Sequence, residues 1–222
     1  KTDVTLWAWG WYLFGQLGDG TSTDRTRPVS VGDGFEAIAA GSSHSLALKA
    51  DGSLWAWGLN RNGQLGDGTI NDRSTPVLAG TGFAKIAAGG YHNLALKTDA
   101  SLWAWGLNEY GQVGDGTTIT RFVPARVGGD FAGIAAGALH SLVIKTDGSL
   151  WAWGSDVSGT LGDGTITDRV SPFVVGAGYA AIAAGYFHSL ALKTDGSVWA
   201  WGWNPAGQLG DGTSTNRTSP VS

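Results

Sequence analysis

Histidine, serine, aspartate and tryptophan lie at positions in this sequence where their types and spacing could do chemistry. His44 is followed directly by Ser45, and such a pair would suit nucleophilic catalysis if the two side chains met. The motif GDGT places Asp19 before glycine and threonine, as a calcium-binding loop can. Trp7 and Trp9 stand one residue apart in the motif WAWG, and paired aromatic rings would suit a binding pocket.

All of these motifs recur along the chain with a constant step of 48 residues, without insertion or deletion. The copies are WAWG beginning at Trp7, Trp55, Trp103, Trp151 and Trp199, histidine at His44, His92, His140 and His188, and the GDGT aspartate at Asp19, Asp67, Asp115, Asp163 and Asp211. Self-similarity at a fixed period is the signature of a repeat architecture. The motifs therefore belong first to a building unit, and function is expected in the residues that differ between copies.

One repeat, residues 35–82, is predicted to form four short strands, named a to d in chain order. They are FEAIAAG at 35–41, HSLALK at 44–49, SLWAWG at 53–58 and TPVLAG at 75–80. Alternation places Leu46 and Leu48 on one side of strand b, and Asp51-Gly52 is typical of a two-residue turn between antiparallel strands b and c. We expect each sheet to have a bulky side of Trp and Leu and a flat side of Ala and Ser, so that the sheets stack as propeller blades.

The sequence therefore predicts an all-β fold, a β-propeller of four-stranded antiparallel blades in a single repeat array, 1–222. The predicted units are a half blade with strands c and d at 1–34 and complete blades at 35–82, 83–130, 131–178 and 179–222. Three arrangements account for the half blade: a segment of a longer ring, a five-fold ring with one defective blade, or a ring completed by several chains. Because exposed strand edges are costly, the first and third are favoured.

The succession of IAAG, HSLALK, DGS, LWAWG, GQLGDGT and PV closely resembles the regulator of chromosome condensation repeat, bacterial types included, over essentially the whole chain. The resemblance implies a propeller of the kind that has seven blades in its relatives. It also implies a binding role, since relatives exchange nucleotide on a small GTPase, contact chromatin or, in bacteria, inhibit β-lactamases. The partner of this chain is not specified by the resemblance.

The repeated polar residues are interpreted as structural. His44 and Ser45 are adjacent in a strand, so their side chains face opposite ways and cannot act as base and nucleophile. Equivalent histidines in successive blades are expected to point outward around the ring and to fix the turn between strands a and b, not to converge on a metal ion. GDGT lacks the remaining calcium ligands, and we expect a turn in which Asp19 or Asp24 pairs with Arg25. The sequence predicts no catalytic residue, no metal site and no cofactor.

The strong variation between copies falls in the loops that join strand a to b and strand c to d. In an antiparallel sheet of four consecutive strands these two loops lie at the same end. Aromatic residues on variable loops over a rigid scaffold are typical of a partner-binding face. The candidate binding residues are Trp11, Tyr12, Phe14, Asn60, Arg61, Tyr91, Glu109, Tyr110, Leu139, Asp156, Tyr186, Phe187, Trp203 and Asn204.

Composition narrows the class of partner. The net charge of -4 and the absence of a basic run argue against nucleic-acid binding. The chain has no long apolar run to span a membrane, and its lack of cysteine leaves the redox compartment open. We expect a non-enzymatic scaffold that presents its loops to a protein or glycan. The alternative is a structural repeat module that assembles with copies of itself into rings or filaments.

Overall fold

The computed structural model describes residues 4–222, in which eighteen β-strands make up the regular secondary structure. Residues 1–3 of the expected half blade lie outside the described residues. The strands are β1 (Thr5–Gly10), β2 (Arg25–Asp33), β3 (Phe35–Ala40), β4 (His44–Lys49), β5 (Leu54–Gly58), β6 (Arg73–Gly80), β7 (Phe83–Ala88), β8 (His92–Lys97), β9 (Leu102–Gly106), β10 (Arg121–Gly128), β11 (Phe131–Ala136), β12 (His140–Lys145), β13 (Leu150–Gly154), β14 (Arg169–Gly176), β15 (Tyr179–Ala184), β16 (His188–Lys193), β17 (Val198–Gly202) and β18 (Arg217–Val221). Across this part of the chain, no helix is long and apolar enough to cross a membrane.

The strands form five antiparallel sheets that follow one another in chain order. β1 pairs with β2, and each later group of four strands makes one sheet: β3–β6, β7–β10, β11–β14 and β15–β18. Each strand pairs with its neighbours in sequence, so each sheet is a simple meander. The predicted all-β fold of four-stranded antiparallel blades with one two-stranded unit is confirmed. Within residues 4–222, no strand of the last sheet pairs with β1 or β2.

The first strand of each four-stranded sheet lies at the centre of the array. β3, β7, β11 and β15 contact one another in succession and line a common groove of about 460 Å³. Lys85 of β7 donates a hydrogen bond from Nζ to the carbonyl of Ala132 in β11, at 2.7 Å. The lining includes one isoleucine from each of these four strands, Ile38, Ile86, Ile134 and Ile182, together with Ile144 of β12 and mainly small residues. Small side chains on these strands allow the blades to converge.

The second and third strands of each four-stranded sheet are joined by a three-residue loop, and the predicted two-residue turn is wrong. In the blade β3–β6, the N–H of Gly52 donates to the carbonyl of Lys49, and the N–H of Lys49 donates to the carbonyl of Ser53. Ala50, Asp51 and Gly52 therefore form the loop. Gly52 has a φ of 77°, because a loop of this type needs a left-handed residue at its last position.

The extra loop residue shifts the strand pairing by one position and exchanges the faces of the sheet. Leu46 pairs with Ala56, and Ala47 pairs with Trp55, so leucine and tryptophan lie on opposite faces. The predicted bulky side of Trp and Leu is therefore wrong, since a one-residue slip in register moves every side chain of a strand to the other face. Each blade has instead a leucine face and a tryptophan face, and both contain large side chains.

Blades stack with the leucine face of one against the tryptophan face of the next, an interface named the seam. At one seam, Leu142 and Leu150 of the blade β11–β14 pack against Trp201 and Tyr179 of the blade β15–β18. All four side chains are buried, and Trp201 is 0 % exposed. Burial of large apolar side chains contributes about 25 cal/mol per Å² of area removed from water. The expectation that the WAWG tryptophans pack between blades is thereby confirmed for the four complete blades, whereas Trp7 and Trp9 of the first unit are exposed.

Hydrogen bonds tie neighbouring blades together across each seam. The buried Trp105 indole donates from Nε1 to the carbonyl of Gln64 in the preceding blade, at 2.9 Å. The side chain of Asn93 donates to the same carbonyl from Nδ2, at 2.7 Å. His44 of the preceding blade contacts Asn93 in turn, with 2.7 Å between Nε2 and Oδ1. These bonds satisfy the indole N–H of Trp105 and the amide of Asn93. Nδ1 of His44 and Nε2 of Gln64 are buried without a hydrogen-bond partner among the described residues.

His44, His92 and His140 point into the seams, and the expectation that they point outward is wrong. His92 contacts Ser141 of the next blade, with 2.9 Å between Nε2 and Oγ, and His140 contacts Ser189 at 3.0 Å. They lie on the leucine face because alternation in the second strand puts histidine on the same side as the leucines. Within residues 4–222, no group of three or more His, Cys, Asp or Glu side chains could hold a metal ion.

Candidate functional site: the loop face

Two sets of loops meet at one end of the blades and are together named the loop face. One set joins the first and second strands of the four-stranded sheets at 41–43, 89–91, 137–139 and 185–187. The other set joins the last two strands of every sheet at 11–24, 59–72, 107–120, 155–168 and 203–216. The antiparallel order puts both sets at the same end. The short loops between second and third strands lie at the other end, named the hairpin face.

The long loops are held in shape by a buried residue at their second position, named the hub. In the loop 107–120, the hub Asn108 accepts a hydrogen bond from the N–H of Val113 at 2.8 Å. Its Nδ2 donates to the carbonyls of Thr117 and Ile119, at 3.0 and 3.1 Å. A side-chain amide can do both because it carries an acceptor and two donor protons. The loop is thereby folded around one side chain.

Ion pairs fix the last part of each long loop. Asp19 accepts a hydrogen bond from Nε of Arg25 at 2.6 Å and another from the hydroxyl of Thr21 at 2.8 Å. The same pairing recurs in all five long loops. The expected turn is therefore confirmed with Asp19 as the partner of Arg25, whereas Asp24 accepts the N–H of Tyr12. Bonds from Thr21 and Arg25 outweigh the effect of burial and lower the pKa of Asp19.

Four of the predicted binding residues occupy the hub position and cannot contact a partner. They are Tyr12, Asn60, Asp156 and Asn204. All four are buried. Asn60 and Asn204 hold their loops as Asn108 does, while Tyr12 reaches from its hydroxyl to the carbonyl of Ser74 in the next blade, at 3.3 Å. Desolvation is the main cause that raises the pKa of Tyr12 to about 12. We correct these four assignments from contact residues to loop-supporting residues.

The blade β15–β18 carries an aromatic cluster at its loops. The rings of Tyr186 and Phe187 meet edge to face with centroids 4.6 Å apart, and Phe187 meets Trp203 in the same manner at 6.5 Å. Tyr186 is 55 % exposed and Trp203 is 39 % exposed. The backbone joins the two loops as well, because the N–H of Trp203 donates to the carbonyl of Phe187 at 2.8 Å. Three predicted residues from two loops thus form one partly exposed surface.

A second cluster spans the first two units. Trp11 and Phe14 meet edge to face with ring centroids 6.3 Å apart. The guanidinium of Arg61, from the next blade, lies over the ring of Phe14 at 5.7 Å, within the range of a cation–π contact. Trp11 and Arg61 are exposed, and Phe14 is half-buried. The structure therefore brings these three predicted residues together.

The remaining predicted residues contribute single side chains. Tyr110 and Glu109 are exposed in the loop 107–120. Tyr91 and Leu139 are half-buried, and their carbonyls accept the N–H groups of Leu107 and Ser155. These backbone bonds join the short and long loops of each blade, as at Phe187. The four residues therefore extend the loop face without forming an aromatic cluster in the described structure.

Several exposed aliphatic residues of the loop face are absent from the sequence-based set. They are Leu13, Ile70, Ile119, Val157 and Ile166. Two of them follow GDGT directly, and that position reads Ser22, Ile70, Thr118, Ile166 and Ser214 in the five copies. Variation at this position was the signal that could have identified it. The loop face is therefore more apolar than its aromatic residues alone indicate.

The comparisons with known proteins agree with the repeated-blade fold. A family model described as the RCC1-like domain matches residues 1–222. No curated protein sequence matches the chain. Human WBSCR16 is similar in structure, with a TM-score of 0.85 and 25 % identity over 94 % of this chain and 60 % of that chain.

Two yeast structures are similar to the same degree. RCC1 (Prp20) bound to Kap60 has a TM-score of 0.85 and 24 % identity, over 98 % of this chain and 56 % of that chain. Prp20p from Saccharomyces cerevisiae has a TM-score of 0.80 and 25 % identity, over 99 % of this chain and 58 % of that chain. The chain thus spans less than two thirds of the length of these relatives. Because the family model matches residues 1–222, the chain belongs to the RCC1-like domain family.

Proposed function

We propose that this chain is a non-enzymatic protein-binding scaffold and that its loop face makes the contact. The observation that carries the proposal is the cluster of Tyr186, Phe187 and Trp203, which is partly exposed on loops that differ from blade to blade. Aromatic anchors supply most of the binding energy of protein interfaces. The rings are already in contact in the free chain, so little side-chain entropy is lost when a partner covers them.

Protein binding by relatives supports the class of partner. Yeast RCC1 (Prp20) was crystallised bound to Kap60, and Prp20p has binding properties to Gsp1p and histones. A propeller of this family therefore serves as a protein-binding surface in at least one organism. The partner of this chain is proposed at the level of class only. Glycans are the second ligand class for the same aromatic surface.

The decisive experiment replaces the three aromatic residues with those found at the equivalent positions of another blade. The blade β3–β6 carries Ser42, Ser43 and Leu59 at the positions of Tyr186, Phe187 and Trp203. The exchange variant is Y186S/F187S/W203L. Proteins captured by the immobilised chain are compared by quantitative mass spectrometry with those captured by this variant, and both proteins are applied to a glycan array. We expect specific protein partners to be lost in the variant.

The matched control lies on the hairpin face. Thr98, Thr146 and Thr194 are exposed there and project from equivalent loops. The variant T98A/T146A/T194A is expected to keep the partners. Ser149 is unsuitable as a control because its hydroxyl accepts the indole N–H of Trp151 at 2.8 Å. Partners that survive the exchange but vanish in the hairpin-face variant would refute the proposal.

Self-association is a second candidate function, favoured by exposed apolar side chains on the outermost sheets. Trp9 is 61 % exposed, although its counterpart Trp57 is buried, and Val198 is exposed where Leu54 is buried. Exposed apolar patches mark association sites in many proteins. Sedimentation velocity at several concentrations tests the idea. Mass that rises with concentration supports assembly, whereas a constant monomer mass excludes it.

A further inference from the structure

Asp156 stands at a hub position where three other blades have asparagine. It is 0 % exposed and lies in the long loop 155–168 of the blade β11–β14. Its Oδ1 accepts the N–H of Leu161 at 2.9 Å, just as Oδ1 of Asn204 accepts the N–H of Leu209 at 3.0 Å. The carboxyl group is thus oriented like the amide it replaces. Its second oxygen, Oδ2, occupies the place of the asparagine NH₂ group.

The surroundings of that second oxygen are built for a donor. In the last blade, Nδ2 of Asn204 donates toward Oδ1 of Asp211 at 3.2 Å and the carbonyls of Thr213 and Thr215, both at 3.1 Å. The counterparts around Asp156 are Oδ1 of Asp163 and the carbonyls of Thr165 and Thr167. An ionised carboxylate has no proton to give these oxygens.

The hydroxyl of Thr165 does not supply the missing proton to Oδ2 of Asp156. Thr165 Oγ1 lies 3.5 Å from Oδ2 of Asp156, but it donates its single proton to Oδ1 of Asp163 at 2.7 Å. Asp163 is also paired with Arg169 of β14 and so remains an acceptor. Asp156 in the ionised form would therefore bury a charge among acceptors, which is costly.

The charged groups around Asp156 also favour its protonated form. The negative charges of Asp163 and Asp168, in the same loop, disfavour ionisation of Asp156. Asp168 also accepts the backbone N–H of Asp156 at 2.7 Å. Arg217 of the adjacent β18 is paired with Asp211 of its own loop. Burial, followed by the charges of Asp163 and Asp168, raises the pKa of Asp156 to about 7, against the opposing bond from Leu161.

We propose that Asp156 is a protonated carboxylic acid in the folded protein and that this proton is a pH-sensitive switch in the blade β11–β14. The acid form mimics asparagine in part, because its carbonyl oxygen accepts from Leu161 and its hydroxyl donates its single proton to one of the oxygens that the amide serves elsewhere. Loss of the proton removes the donor and loosens the loop 155–168, which carries the exposed Val157 and Ile166 on the loop face. The inference does not rest on the loop face being a binding surface.

The sign of the stability effect follows from proton binding. In the unfolded chain an aspartate ionises near pH 4, whereas folded Asp156 keeps its proton to higher pH. The folded state thus binds more protons between about pH 4 and 7, so stability falls as the pH rises through this window and is constant above it. Asn at this position removes that dependence.

The test compares the wild-type chain with D156N and N108D by thermal unfolding from pH 4 to 8. The stability advantage of D156N over wild type is expected to grow from pH 4 to about 7 and then to level off. N108D introduces the acid into the blade β7–β10 and is expected to acquire the same additional loss of stability with rising pH. Histidine contributions are common to all three proteins and cancel in the differences.

A direct measurement complements the unfolding data. The carboxyl carbon of Asp156, assigned by its absence in D156N, is expected to titrate in NMR spectra with a midpoint near pH 7. A midpoint near pH 4, or an advantage of D156N that is independent of pH, would overturn the proposal. Stabilisation of wild type, but not of D156N, by calcium chloride at pH 7.5 would also overturn it, because a cation would then replace the proton.

Discussion

The seams and the loop face are built from the same repeats, but the tryptophan buried in each seam is constant, whereas residue type varies between copies on the loop face. At the second WAWG tryptophan, Trp57, Trp105, Trp153 and Trp201 are all buried and all donate to a carbonyl of the preceding unit. Two residues later the same repeats carry Leu59, Leu107, Ser155 and Trp203, with exposures that range from buried to exposed. Packing between blades thus fixes the residue type of the buried seam tryptophan, while positions without that constraint are open to a binding role.

Removal of a seam tryptophan is expected to have the largest effect on stability. Trp105→Ala is expected to destabilise the chain by about 3–5 kcal/mol, because a buried indole loses transfer free energy and leaves a cavity. The matched control is Trp9→Ala, at the same repeat position but exposed, which is expected to change stability by less than about 1 kcal/mol. Denaturant unfolding measures both, and equal effects would mean that the seam does not depend on tryptophan burial.

Acid is expected to destabilise the seams by protonating their buried histidines. Burial lowers the pKa of His44 and His140 to about 4, and that of His92 to about 3. The unfolded state binds more protons between the unfolded pKa of about 6.5 and these values, so stability falls as the pH drops through this window. A shift of this size corresponds to about 3 kcal/mol per histidine near pH 4.

The half-buried His188 provides the internal comparison for acid sensitivity. Its pKa is also lowered by burial, but it faces no following blade in the described chain. The loss of unfolding free energy between pH 7 and pH 4 should therefore be smaller in His140→Gln than in His188→Gln. Equal acid sensitivity of the two variants would contradict the seam assignment.

A hairpin-face loop offers a smaller test of the repeat rules. Ala100 has a φ of 62°, at a position where other blades have glycine. Ala100→Gly is expected to stabilise the chain by about 1 kcal/mol, since glycine adopts positive φ without steric cost. The reverse change, Gly196→Ala, has open space around the new methyl group and a φ of 87°, and is expected to destabilise by a similar amount. Effects of the opposite sign in thermal unfolding would refute the backbone explanation.

Local sequence signals were sufficient for the strands but not for their register. Alternation in HSLALK and SLWAWG and the step of 48 residues predicted the blades, since these features depend on neighbours in sequence. The faces of the sheet were predicted wrongly because Asp51-Gly52 fits a two-residue turn as well as the observed three-residue loop. Only the hydrogen bonds of Lys49 separate the two, and one residue of register decides which side chains share a face.

The candidate site was predicted in part for a related reason. Exposure of Tyr186 and Trp203 followed from their loops, but the hub residues were mistaken for surface residues because polar side chains in loops are usually exposed. Asparagine recurs at Asn60, Asn108 and Asn204, and that recurrence was the available sign of a structural role. Sequence alone could not show which oxygens each amide would meet after the loop folded.

We propose that the variable loops bind the partner while the seams stabilise the fold. The most direct test is to titrate a captured partner into wild type and Y186S/F187S/W203L by calorimetry, and to measure their unfolding free energies in parallel. We expect the exchange to weaken binding by at least about 2 kcal/mol and to change the unfolding free energy by less than that. Unchanged affinity in the exchange variant, together with loss of binding in T98A/T146A/T194A, would contradict it.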